Sequence, residues 1–307
     1  SSYLSVLSPT LLSSLITITK QLFRNNRSLR RIYSSNAPHF IKRGFFSANW
    51  ERDFCNKIKK ENKKALCKYI KEKEAEGIKL GYMHIFIAGI VRMLALKPRL
   101  NRFVMNGHVY ARPKIWVSFV VHPELHVDDE ETTIKLCFEG TETILEIAET
   151  INKAIEKETT KRVDKNGTDK LVHLLTAIPG PILSLVVNTL MWMDRHNIMP
   201  KSIIDLSPFH TSFFITNLKS LGINHIYHHT YEFGTTGLFF AIGKEKIIPV
   251  MHKGEVVPEK HMGFGLVSDE RFCDGLYFAM ALRELRKIMR NPAVLEKPLE
   301  KKVEDVK

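Results

Sequence analysis

No acidic residue occurs in the first fifty positions of this 307-residue sequence. Lys20, Arg24, Arg27, Arg30, Arg31, Lys42 and Arg43 lie there, so this short segment carries +7 of the formal +13, and the other 257 residues carry only +6. The basic balance therefore belongs mainly to the N-terminus. The body lacks a basic-aromatic motif of the kind that grips nucleic acid, and nucleic acid is not expected as a partner. Cysteine is scarce: Cys55, Cys67, Cys137 and Cys273 show no metal or redox spacing and no framework pattern. They read as reduced thiols. No internal repeat is present, which excludes solenoids and propellers.

An uninterrupted membrane-length apolar run is also missing. The 23 residues from 171 to 193 carry no formal charge, but Pro179-Gly180-Pro181 cuts them. The expectation is a buried or interface-packed helix pair, with peripheral membrane contact as the alternative. The first fifty residues, rich in Ser and Arg, have the composition of a mitochondrial transit peptide, and Arg31-Ile32-Tyr33-Ser34 matches a matrix-protease pattern with a cut after Tyr33. The alternative is a retained basic arm that binds a partner. The division expected is 1–50 for this segment, 51–300 for one folded domain and 301–307 for a charged tail.

Hydrophobic residues make up 44% of the sequence, enough for a sizeable core. Residues 51–80 read as charged, exposed helix, and 83–96 as an apolar helix stopped by Pro98. Ile115, Val117, Phe119 and Val121 alternate with Trp116, Ser118 and Val120 and read as a strand with a largely buried surface, and Ile134 to Phe138 as a half-buried one. Thr143 and Glu146 form a capping box for a helix lined by Ile144, Ile147 and Ile151. Residues 161–169 read as linker. Strands are expected at 212–216, 237–242, 246–251 and 262–267, followed by a C-terminal amphipathic helix with Phe278, Ala281, Leu282, Leu285, Ile288 and Met289 on one face. Strands and helices mix without strict alternation, which points to an α/β two-layer sandwich with a mixed sheet.

Three segments, in order, carry a resemblance. Leu100-Asn101-Arg102-Phe103, Tyr110-Ala111-Arg112 and Val117-Ser118-Phe119 come first, Phe213-Phe214-Ile215-Thr216-Asn217-Leu218…Gly222 second, and Asp269-Glu270-Arg271-Phe272-Cys273-Asp274-Gly275…Asn291-Pro292 third. The last is similar to the Asp-His-Arg-x-x-Asp-Gly…Asn-Pro ending of the acyltransferase component of 2-oxoacid dehydrogenase complexes. The second resembles that family's Phe-Thr-Ile-Ser-Asn-Leu-Gly segment. The family also includes chloramphenicol acetyltransferase. The resemblance spans roughly residues 80–300 and implies a CoA-dependent acyltransferase-like sandwich, trimers, and a site in a channel between subunits. It implies that Thr216 supplies the hydroxyl for a tetrahedral oxyanion and that Asp274 holds the loop. Asn217 and Gly275 would border the CoA channel.

One position departs from the family: Glu270 stands where the family has its general-base histidine. A carboxyl near 4.3 is about two pH units less basic than an imidazole near 6.5, a handicap of roughly 3 kcal/mol in taking a thiol proton. Arg271, next in sequence, is expected to hold Glu270 ionised. His210, His225, His228 and His229 are the candidates to replace the lost base; the last three together also raise a metal site, disfavoured because no fourth ligand is evident. Nothing before residue 80 resembles the family's lipoyl domain, and the chain is similar to the family's short members. The reading is an accessory or structural subunit of a mitochondrial assembly, on the matrix face of the inner membrane or in the matrix, as a homotrimer or within a larger complex. The alternatives are an active CoA-dependent acyltransferase using Thr216 with Glu270 or a nearby histidine, and a module that binds CoA or acyl-CoA without turnover.

Overall fold

The computed structural model describes residues 45–50, 65–105, 107–121, 132–162, 180–231, 233–252 and 254–305. The transit-peptide-like residues 1–44, the charged stretch 51–64, residues 163–169 of the expected linker, Lys170 and residues 171–179 of the charge-free run lie outside the described residues.

Six strands form one mixed sheet: β1 (Phe45–Trp50), β4 (Ile115–Val121), β5 (Thr132–Phe138), β6 (Phe213–Asn217), β7 (Leu238–His252) and β8 (Glu255–Asp269). Their order is β1-β8-β7-β6-β4-β5; β6 runs parallel to both β4 and β7, and the other pairings are antiparallel. A small ribbon of β2 (Arg102–Met105) and β3 (His108–Ala111) stands apart. The mixed α/β architecture is the one the pattern predicts. β1 lies inside the segment grouped by composition with the N-terminus, yet it forms the sheet edge, with Phe45 opposite Asp269.

Helices α1 (Ala65–Ala75), α2 (Tyr82–Leu96), α3 (Ile144–Arg162) and α6 (Gly275–Arg290) contribute to the main core on one face of the sheet. Side chains alternate along a strand. Phe213 and Ile215 of β6, Leu238, Phe240 and Ile242 of β7 and Leu266 of β8 therefore join that core together. Ile85, Phe86 and Ile90 of α2 meet them, and Phe86 stacks on Phe264 with centroids 4.6 Å apart. The apolar face expected on α6 is buried as predicted. The capping box forms: Thr143 N donates to Glu146 Oε2 at 2.7 Å and Glu146 N to Thr143 Oγ1 at 3.3 Å.

Two expectations need correction. The separate strands at 237–242 and 246–251 are one long strand, β7, paired with an equally long β8; the ladder shifts register between Ile242 and Glu245 instead of ending. Gly243 reads as a break in sequence but serves close packing. The second correction concerns α4 (Gly180–Arg195), preceding the short helix α5 (Lys201–Leu206). It begins where Pro181 suits a first helical turn; of the two expected placements the buried one does not hold, since Ile182, Leu185, Val186 and Trp192 are exposed, while packing at an interface is compatible with that exposure. Among the described residues no helix is long and apolar enough to cross a membrane.

Candidate functional site

The second face of the sheet carries Phe214, Phe239 and Val267, a small cluster apart from the main core. Thr216 shares the Phe214 side of β6 and lies opposite Ala241 of β7, which in turn lies opposite Gly265 of β8. At this level the face is paved with small residues. The segment after β6 crosses that floor closely. A Cβ on Gly243 would lie 2.3 Å from the backbone N of His225, one on Gly265 would lie 2.7 Å from Ile226 O, and one on Gly263 would strike the His225 ring. Only glycine lets the strands and the crossing backbone approach so nearly.

The crossing brings one imidazole to the predicted hydroxyl. His228 Nε2 lies 3.0 Å from Thr216 Oγ1, and Thr216 Oγ1 lies 3.4 Å from the carbonyl oxygen of Phe240. The His228 ring stacks on Phe239, centroids 4.2 Å apart and tilted by 23°, and Phe239 stacks on Phe214 at 5.0 Å. Burial lowers the His228 pKa below the usual histidine value, which favours the neutral ring. Of the four histidines singled out in the sequence, only His228 is bonded to Thr216 in this structure. His225 packs on the glycine floor, and His229 is exposed. Among the described residues no group of three His, Cys, Asp or Glu side chains converges to hold a metal.

His210 serves elsewhere. Its Nε2 lies 2.8 Å from Asp194 Oδ1 and its Nδ1 2.8 Å from Ser207 Oγ, while Asp194 Oδ2 accepts from Gly234 N at 2.7 Å. All three side chains are buried, so this relay joins the end of α4 to the segments around Ser207 and Gly234. Arg112 adds a second tie: its Nη2 donates to Thr211 O, Thr235 O and Thr235 Oγ1 at 3.1, 2.8 and 2.6 Å, and its guanidinium lies over the Phe103 ring at 4.3 Å. Burial pushes its pKa down to about 9. These anchors were not read from the sequence, because their partners are backbone groups and residues distant along the chain.

The other predicted site residues collect at the far end of β8. Asp269 and Arg271 chelate each other across a turn: Arg271 N and Nε donate to Asp269 Oδ1 at 3.0 Å, and Arg271 Nη2 donates to Oδ2 at 2.6 Å. The guanidinium expected beside Glu270 is thus engaged by Asp269. Glu270 sits exposed at the tip. Asp274 caps α6, its Oδ1 accepting from Tyr277 N at 2.8 Å, and Gly275 is the first residue of that helix. Cys273 is buried and its thiol is pushed up to about 12, by burial first and then by the neighbouring Asp274 charge, so it is no nucleophile. Asn217 ends β6, and its carbonyl accepts from Ser220 Oγ at 2.6 Å.

Within one chain these two halves are not brought together. Thr216 is level with Gly265, five residues before Glu270, which is roughly 15 Å along an extended strand. Thr216, Asn217 and His228 form one locus; Glu270, Asp274 and Gly275 form another.

No family model and no curated protein matches the sequence. Solved structures do match in fold. The cubic core of the pyruvate dehydrogenase multienzyme complex is similar over 83% of this chain and 84% of that one, at 14% identity and a TM-score of 0.54. Dihydrolipoamide acetyltransferase from Azotobacter vinelandii, studied for a serine, a histidine and an asparagine in its catalytic mechanism, is similar over 90% of both chains at 13% identity and a TM-score of 0.52. A truncated catalytic core of the 2-oxoacid dehydrogenase multienzyme complex from Thermoplasma acidophilum covers 87% of this chain and 97% of its own, at 14% identity and a TM-score of 0.50. The fold is that of these acyltransferase cores, as the three sequence segments imply. At such identities the likeness shows the fold alone.

Proposed function

We propose that this chain is a catalytically impaired acyltransferase-fold protein working as an accessory, structural subunit of a mitochondrial multi-protein assembly. The observation that carries the reading is the state of the base position. Glu270, where the family's histidine is expected, is a carboxyl side chain exposed at the tip of a turn, and a carboxylate is a weaker acceptor for a thiol proton than an imidazole. The Thr216 hydroxyl at the other locus is already covered by His228. The fold alone does not fix a function.

Two further features support assembly. α4 and the outer part of the β7–β8 hairpin expose Leu185, Trp192, Ile247, Met251 and Val256, apolar groups that a partner surface would shield from water. The acid-free, Arg-rich N-terminus supports mitochondrial import or a basic docking arm. The partner is a homotrimer mate or other subunits of a larger complex, placed in the matrix or at the matrix face of the inner membrane.

The test is acetyl transfer from acetyl-CoA to dihydrolipoamide, run beside native-gel migration of the intact protein in its own mitochondrial extract. The expected result is no transfer above background and migration with a larger species. Transfer at an ordinary enzymatic rate that Glu270→Gln abolishes would overturn the impaired reading. Migration as a free trimer would overturn the accessory one. CoA binding without turnover would instead mark a ligand-binding module.

A further inference from the structure

We infer that α4 is a membrane-docking element whose outward face lies on an anionic lipid surface, along it and without crossing it. The inference rests on the assembly reading for its place at the matrix face of the inner membrane, and it names lipid as what shields this helix.

α4 is apolar on the side that a surface helix normally turns to water. Ser184, Val187, Met191 and Asp194, three and four residues apart, form the side toward the domain; the first three are half-buried and Asp194 is buried. Ile182, Leu185, Val186 and Trp192 recur on the opposite side, with Leu185 67% and Trp192 54% exposed. The bonds of Asp194 to His210 and to Gly234 N pin the C-terminal end of the helix to the body. The apolar stripe is therefore held outward and cannot roll inward to escape water.

Two features select lipid over a protein partner. First, the stripe directs no hydrogen bond outward. Its polar member, Thr189, donates to Leu185 O at 2.8 Å within the helix, and the neighbouring Asn188 Nδ2 donates to Ser184 Oγ at 3.5 Å. A protein interface carries about one hydrogen bond per 100–200 Å², and these fix the partner; a face that offers none suits a fluid apolar medium. Second, the charge is of one sign. Residues 171–204 contain a single acid, Asp194, and it is buried. Arg195 and Lys201, just beyond the stripe, are exposed and match anionic headgroups. Trp192 stands at this polar end, its ring 4.7 Å from that of His196, where an indole bridges acyl chain and headgroup. At 16 residues α4 is too short to span, and a helix of this kind lies in the interface.

The experiment mixes the full chain with vesicles of equimolar phosphatidylcholine and phosphatidylglycerol, with plain or brominated acyl chains, and reads flotation and tryptophan emission. The N-terminal cations also attract anionic headgroups, but they do not carry Trp192 into hydrocarbon, so quenching by the brominated chains is the decisive reading. The expected result is flotation with quenched emission. Trp192→Phe keeps the flotation and loses most of the quench, although Trp50 and Trp116 remain. Leu185→Gln lowers the partition coefficient by about tenfold, the effect of withdrawing one large apolar side chain from lipid. Ile247→Gln, on the β7–β8 hairpin, leaves it unchanged. All three side chains stand outside the core, or half-outside it, and thermal melting is expected to match the parent. Absent quenching in the folded parent, quenching that survives Trp192→Phe, or a partition coefficient indifferent to Leu185→Gln overturns the inference. So does a Leu185→Gln variant that leaves the larger species on a native gel run in detergent, because a protein subunit or a second copy then covers α4. A parent that migrates as a free trimer yet is quenched at Trp192 sinks the assembly reading and leaves the lipid contact standing, so the two failures are separate results.

Discussion

Replacing Gly243 with alanine tests how the crossing segment is held over Thr216. The added Cβ would lie 2.3 Å from the backbone N of His225 and 3.0 Å from the carbonyl carbon of Asn224. Neither atom can rotate away as a side-chain tip can, so the crossing backbone has to lift. Gly89 is the control. Its Cβ would come within 2.0 Å of a neighbour, but that neighbour is the terminal methyl of Met289, on a flexible thioether. A mid-helix glycine changed to alanine also gains about 0.5–1 kcal/mol in helix propensity. Gly243→Ala is expected to cost about 1–3 kcal/mol, the scale of overpacking, and Gly89→Ala to be near neutral. In a domain of this size each kcal/mol moves Tm by about 2–4 °C. Thermal melting of the two variants gives the energies, and the NMR titration of His228 gives the mechanism. As the loop lifts, His228 leaves its desolvated seat and its pKa rises toward the ordinary value near 6.5. A Gly243→Ala variant that melts with the parent and leaves the His228 titration unmoved would refute the close-packed floor.

Two further expectations concern the ties around the site. Glu245, at the irregularity between sheet and hairpin, bonds Lys219 Nζ at 2.8 Å and also pairs with Lys260; burial pushes its carboxyl up, but the two lysines outweigh this and hold it down at about 2. A depressed carboxyl stabilises the fold fully above its unfolded value, about 4.3, and loses that contribution as pH falls through the folded one. Denaturant unfolding is therefore expected to show stability falling between about pH 4.5 and 2, with a smaller fall in Glu245→Gln. Asp194→Ala strips acceptors from His210 Nε2 and Gly234 N, and each buried donor left unsatisfied costs about 1–3 kcal/mol. Its Tm should fall clearly, whereas an equal Tm would mean that water replaces the carboxylate.

The sequence alone determined the parts governed by local periodicity. Alternation along Ile115 to Val121, the Thr143–Glu146 capping box and the apolar stripe of Phe278 to Met289 each follow from the geometry of one element, and each is present. The mixed α/β class follows from their order. Thr216 was legible because its motif places a hydroxyl near the end of a short strand. The sequence did not show that β7 and β8 run on past Gly243, because a glycine reads as a break unless its neighbour across the sheet is known. Nor did it separate one histidine from four. His228 is twelve residues from Thr216, and their contact depends on a backbone path over Gly243, Gly263 and Gly265, three residues whose shared task is visible only once β7 and β8 lie side by side. The adjacency of Glu270 and Arg271 in sequence suggested an ion pair, but the turn gives the guanidinium to Asp269. Contacts within one turn or one strand follow from bonded geometry, which the sequence encodes directly. Contacts between strands depend on register and on which face each side chain takes, and tertiary packing sets both.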